Sequence, residues 1–142
     1  MEIGLVSSTK RKRAEASKPA DLYMDSAYFK KARGYAESNH DSWYILSPKH
    51  HLLDPDGPEI EPYDNDTLGS MSGEEQEEWA NTVFEQLQER DAIHDGNRLV
   101  FHAGREYYDL LAPLLEDTGV ETELPTEGLK LGQTLNWYNE RI

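Results

Sequence analysis

Apolar and polar positions along this chain alternate between two periods, one that suits strands and one that suits helices. The run Ile3-Gly-Leu-Val6 is apolar, stops at Ser7-Ser-Thr9, and predicts a short buried strand. A polar loop from Thr9 to Pro19 leads to Tyr28, Phe29, Ala32, Tyr35 and Ala36 at helical spacing, with Asp25 or Ser26 placed to cap the helix. Trp43-Tyr-Ile-Leu46 predicts a second strand. After it comes a loop from Ser47 to Met71, rich in Pro, Asp and Gly; at about 25 residues, such a loop in a small domain is either functional or disordered.

Ser72-Gly-Glu-Glu75 matches a capping box, and Trp79, Ala80, Val83, Phe84 and Leu87 form one apolar stripe on the helix that follows. Asp95-Gly-Asn97 is a turn, Arg98-Leu-Val-Phe101 a third strand, and Glu106 to Asp117 a helix that Pro113 should kink or restart. Thr118-Gly119 ends it. Glu121-Thr-Glu-Leu124 alternates in polarity and predicts an edge strand, and Leu129 to Ile142 closes the chain as a helix. Strand and helix alternating in this way predict a single α/β domain over residues 1–142, in three layers: a mainly parallel sheet of about four strands, joined by right-handed crossovers, with helices on both faces. In such sheets ligands sit outside the carboxyl ends of the strands, which selects the loops 7–19, 47–71, 102–107 and 125–131.

Composition narrows the chemistry. The 142 residues contain no cysteine, so disulfides, thiolate zinc sites, iron–sulfur clusters and cysteine nucleophiles are excluded. The N-terminus lacks a basic segment followed by an apolar run, and no stretch approaches the roughly 20 apolar residues of a spanning helix. A soluble, cytoplasmic protein without membrane contact is expected. The net charge of -14 should repel nucleic acid and anionic membranes over most of the surface, and a halophilic host would account for it equally well. The charge is uneven, however. Residues 1–31 hold seven Lys/Arg against four Asp/Glu, a net of +3, which leaves -17 on the remainder.

Ser7-Ser-Thr-Lys-Arg-Lys-Arg13 sets hydroxyls and cations directly after a strand, where Ser7, Ser8 and Lys10 can hold an anion; otherwise it is a solvated charged loop. It lacks the glycine spacing of a Walker or dinucleotide fingerprint, and no cofactor is called for. Ser47-Pro-Lys-His-His-Leu-Leu-Asp54 offers Lys49 and His50 for proton transfer, anion binding or nucleophilic chemistry. Two adjacent imidazoles on an extended chain face opposite ways, so a metal site is not expected. Glu59-Ile-Glu-Pro-Tyr-Asp64 brings Glu61 and Tyr63, the former as a general base or as an ion-pair partner. In His102-Ala-Gly-Arg-Glu-Tyr107, Gly104 lets the backbone pass close to a ligand, Arg105 supplies a bidentate anion donor, and Tyr107 joins the site.

The segments Leu5-Val-Ser-Ser-Thr-Lys10, Leu22-Tyr23, Phe29-Lys-Lys-Ala-Arg33, Tyr44-Ile-Leu-Ser-Pro-Lys-His-His-Leu-Leu-Asp-Pro55, Glu61-Pro-Tyr-Asp64 and Val100-Phe-His-Ala-Gly-Arg-Glu-Tyr107 together resemble a family of short uncharacterised bacterial, archaeal and phage domains. More remotely, the chain is similar to the YaaA peroxide-stress proteins, with His50-His51 standing where Tyr-Gly or His-Gly is usual. A third likeness is to a domain of archaeosine synthase, whose lysine would correspond to Lys10. These resemblances imply a small anionic or nucleobase-containing ligand, or nucleic acid. The expected function is a nucleobase- or nucleotide-directed domain, an enzyme of base modification or glycosidic-bond chemistry, with Lys10, Lys49, His50 and Glu61 as its reactive groups. The alternative is a non-catalytic nucleic-acid- or partner-binding module that works through the basic 10–13 loop.

Overall fold

The first apolar run becomes the central strand of a sheet that has five strands among the described residues, 1–64 and 67–142 of the computed structural model. Strand β1 (Glu2–Ser7) pairs in parallel with β2 (Ser42–Ser47) on one side and with β4 (Arg98–His102) on the other. Outside β2 lies β3 (His51–Leu53), antiparallel to it; outside β4 lies β5 (Glu121–Glu123), parallel to it. The order is β3-β2-β1-β4-β5. The sheet is therefore mixed and five-stranded where sequence predicts about four mainly parallel strands.

The extra strand comes from the segment expected to be loop. Pro48–His50 turn the chain tightly, His51 takes a φ of 65°, and the chain reverses along β2. A positive φ is unstrained for glycine and uncommon for other residues, so this reversal is hard to read from the residue His51. Part of the remaining segment is tied down as well: Ser17 and Ile60 exchange backbone hydrogen bonds of 3.1 and 2.9 Å, and Leu68–Ser70 form a 3-10 turn whose Leu68 is buried. Residues 65 and 66 of the predicted 47–71 loop lie outside the described residues.

Helix α1 (Pro19–Leu22) is a single turn at the end of the polar loop, with proline at its start where no N–H is needed. Helix α2 (Ala27–Asn39) is capped by Ser26, whose Oγ accepts from the Phe29 N–H, so Ser26 rather than Asp25 is the cap. Helix α3 (Gly73–Glu89) has the capping box expected of Ser72 and Glu75. Helix α4 (Arg105–Leu115) runs through Pro113 as one unbroken element, instead of restarting there. Pro113 lies on the exposed side, where water can reach the carbonyl that its missing N–H leaves unpaired. Helix α5 (Leu131–Asn139) is shorter than its apolar pattern suggests.

Alternation along the strands divides the core in two. Ile3, Leu5, Leu99 and Phe101 face Trp79, Val83, Leu87, Leu111 and Leu115 of α3 and α4. Val6 and Ile45 face Phe29, Ala32 and Ala36 of α2 and Tyr138 of α5. Because β1 feeds β2 on one side while β4 enters on the other, the strand order reverses between β1 and β4. That gap, at the carboxyl ends of the two strands, is where an open α/β sheet has room for a ligand. Among the described residues no helix is long and apolar enough to cross a membrane.

Candidate ligand-binding site

Strand β1 ends on Ser7 and Ser8, both buried, and the Ser8 N–H continues the ladder by donating to the Leu46 carbonyl at 2.8 Å. Strand β4 ends at His102, and Gly104 starts α4. Two hollows open between these strand ends and share Ser7. The first, of about 480 Å³, is lined by Ser7, Ser8, Lys10, Pro48, Glu106 and Tyr107 together with the 3-10 turn. The second, of about 300 Å³, is lined by Ser7, Tyr28, Gly104, Thr126, Leu131 and Thr134. These sizes match pockets for small molecules.

The first hollow carries both signs of charge. Lys10 is exposed at its rim. Glu106, in the first turn of α4, folds its carboxylate back over the helix start, 2.5 Å from where a Cβ on Gly104 would lie, a contact that the flexible Glu106 side chain can relieve. A carboxylate at that helix end is favourable and already occupies the position where a phosphate could sit on α4. The Tyr107 hydroxyl is held in its neutral form by burial and then by neighbouring Glu106, and it lines this hollow beside Ser8. In the second hollow, burial pushes the Tyr28 hydroxyl up to about 12. The hydroxyls of both hollows are thus neutral donors and acceptors near neutral pH.

The other predicted residues gather at a second place. Tyr63 Oη lies 2.6 Å from Tyr23 Oη and 2.9 Å from Ser47 Oγ. The Lys12 and Lys49 ammonium groups stand 4.4 and 5.3 Å from the centre of the Tyr63 ring, and His50 meets it edge-on at 5.0 Å. Burial lowers the pKa of His50, helped by Lys49, and burial lowers that of Lys12 against the pull of Asp64. Glu61 is exposed and lines neither hollow, while Arg105 lines the second hollow with its guanidinium committed to Glu127 at 2.7 Å and Asp109 at 3.4 Å. Lys10, Ser7, Ser8, Gly104 and Tyr107 therefore come together with Glu106 and Tyr28, whereas Lys49, His50 and Tyr63 form a neighbouring cluster. Among the described residues, no three His, Asp or Glu side chains are arranged to hold a metal ion.

Sequence reading missed Glu106, which sits inside a segment it had selected but read only as the start of a helix. It also missed a buried row of polar groups on the α2/α5 face. His40 Nε2 lies 2.8 Å from His102 Nε2; His40 Nδ1 is 2.7 Å from Glu2 Oε1, and His102 Nδ1 is 2.7 Å from Tyr138 Oη. Gly4 makes room for this row, since a Cβ there would lie 2.6 Å from His40 Cδ2. Burial, and next the neighbouring His40, hold the His102 imidazole down at about 3.

A model for a family of unknown function, DUF6884, matches residues 3–140. No curated protein and no solved structure matches the chain.

Proposed function

The chain belongs to the family of unknown function DUF6884, so its chemistry is to be read from the crevice, and we propose a nucleobase- or nucleotide-directed domain that holds its ligand across the switch point. The observation that carries this reading is the pair of hollows that meet at Ser7 and differ in character. One offers Lys10 with the hydroxyls of Ser8 and Tyr107, a set suited to phosphate or another anion. The other offers Tyr28, Leu124 and Leu131 with the hydroxyls of Thr126 and Thr134, a set suited to a flat ring with polar edges. Glu106 adds a carboxylate that can accept from a sugar hydroxyl or a base N–H. If the domain acts on a base or a glycosidic bond, Glu106 takes the role that sequence gave to Glu61. The likeness to YaaA-type proteins and to a domain of archaeosine synthase points the same way.

A second reading, a nucleic-acid-binding module without catalysis, is favoured by the cations gathered around Tyr63 next to the 10–13 loop. Thermal-shift titrations of the purified protein against nucleobases, nucleosides, mononucleotides and short oligonucleotides separate the two. The expected result is stabilisation by a mononucleotide that Lys10→Ala and Glu106→Gln abolish and Glu61→Gln leaves intact. Stabilisation by oligonucleotides alone, steeply salt-dependent, insensitive to Glu106→Gln and lost when Arg11, Lys12 and Arg13 are neutralised, would establish the binding module instead.

A further inference from the structure

Most cations of the basic stretch after β1 remain outside the crevice. Among the described residues, Arg33, Arg90, Arg98, Arg105 and Arg141 each pair with a carboxylate, at distances between 2.7 and 3.6 Å. Arg11 and Arg13 form no such pair there, and neither do Lys10, Lys12 and Lys49. With 28 acidic residues to 14 basic ones, partners are not scarce. The fold itself keeps these cations apart from carboxylates, on the loops that follow β1 and β2.

Three of them converge. Lys10 stands at the rim of the crevice, and the Lys12 ammonium donates to the Lys10 carbonyl at 3.2 Å, so both amines flank one short stretch of backbone. Lys12 and Lys49 stand 4.4 and 5.3 Å from the centre of the Tyr63 ring, beside a hollow of about 470 Å³ lined by Lys49, Pro62, Tyr63 and Asp64. The ring is a fixed post. Ser47 Oγ accepts the His50 N–H at 3.1 Å, which leaves its own proton for Tyr63 Oη at 2.9 Å, and the buried Tyr23 meets the same oxygen at 2.6 Å. The loop after β2 joins the two places a second time, since Pro48 lines the crevice and Lys49 the hollow at Tyr63.

We propose that Lys12 and Lys49, standing on the Tyr63 ring, form a subsite for a second phosphate, next to the crevice where Lys10 holds the first. The inference rests on the nucleotide reading of the crevice. An ammonium has three donors; the Lys10 carbonyl takes one from Lys12, and phosphate oxygens suit the others while the aromatic face supports the charge. The second phosphate is either the next phosphodiester of a strand or the end of a diphosphate tail, which present the same group. Arg11 and Arg13 add two exposed cations to the same loop, more than a diphosphate needs, which favours the strand. Asp64 works against the anion, because its carboxylate lines the same hollow.

Calorimetric titration of the full chain, at one moderate ionic strength, tests the subsite with the common 5′-mononucleotides, their 5′-diphosphates and 5′-phosphorylated homodinucleotides. A dinucleotide is expected to bind about tenfold tighter than its mononucleotide, the worth of one charge-assisted contact. A neutral methylphosphonate linkage should erase that advantage, Lys49→Gln should erase it too, and Lys12→Gln should reduce it. Asp64→Asn should enlarge it about two- to threefold, a gain that no loss of fold can mimic. A diphosphate with the same advantage and the same dependence on Lys49 supports the subsite and assigns its phosphate to the nucleotide's own tail. If neither dinucleotide nor diphosphate binds more tightly than the mononucleotide, the subsite is overturned and the crevice reading stands. An advantage that survives the methylphosphonate or Lys49→Gln overturns it as well, and so does dinucleotide binding that needs Lys49 but not Lys10, which would separate the two places. If no nucleotide binds at all, the crevice reading falls and the subsite with it.

Discussion

On the α3/α4 side of the sheet, β1 presents Ile3 and Leu5 to a cluster of Trp79, Val83, Leu87, Leu111 and Leu115, all closed to solvent. On the α2/α5 side the same strand presents Gly4 and Val6, and the space above Gly4 holds the ring of His40, hydrogen-bonded to His102 and Glu2. One face is stabilised by area removed from water. The other gives up part of that area to polar groups, which are tolerable only because each has a partner. Among the described residues no buried side-chain nitrogen or oxygen lacks one. An apolar substitute for the imidazoles would have filled the volume more simply. The row Glu2–His40–His102–Tyr138 is hydrogen-bonded at every member, and such a network fixes one arrangement of the core around it.

Removing Trp79 tests the apolar face most severely. Trp79→Ala takes away a fully buried ring, its edge-on contact with Tyr107 at 5.7 Å and the Nε1–H bond to the Ser47 carbonyl at 2.9 Å. A loss of about 3–5 kcal/mol is expected in urea unfolding, with the slope unchanged. On the polar face, Gly4→Ala drives a methyl against His40 Cδ2 and should cost about 1–3 kcal/mol, the usual cost of overpacking. Combining it with His40→Ala should recover part of that loss, and the double-mutant cycle measures how much of the cost lies in the imidazole. Full additivity would mean that Gly4 is needed for the backbone and not for the ring.

The apolar face was the legible one. The stripe from Trp79 to Leu87, the capping box at Ser72 and the strands at Ile3, Trp43 and Arg98 all follow from period and local chemistry, which act over a few residues. Strand order then directed attention to the ends of β1 and β4, where the two hollows lie. β3 escaped because its reversal depends on one positive φ at His51, a residue that does not advertise it. His40 and His102 escaped because 62 positions separate them and only the parallel pairing of β1 with β2 and β4 brings them together. Tyr138 fits the spacing of a core residue, and its hydroxyl shows a second role only once His102 is known to lie beside it.

Acid should separate the two faces without any change in packing. In the unfolded chain the His102 imidazole takes its proton near 6.5, whereas in the fold burial, and then the neighbouring His40, hold it down to about 3. Between those values the unfolded state binds a proton that the folded state refuses. The contribution of His102 to stability is therefore complete above about 6.5 and drains away as pH falls toward 3. His102→Phe removes this dependence while keeping a ring in the same volume, although it strands the Tyr138 hydroxyl and His40 Nε2 and so costs stability at neutral pH. The gap between wild type and variant should narrow by about 1–2 kcal/mol between pH 6.5 and 5, as read from urea unfolding at the two values. A gap that stays constant would mean that His102 takes up its proton within the folded state over this range.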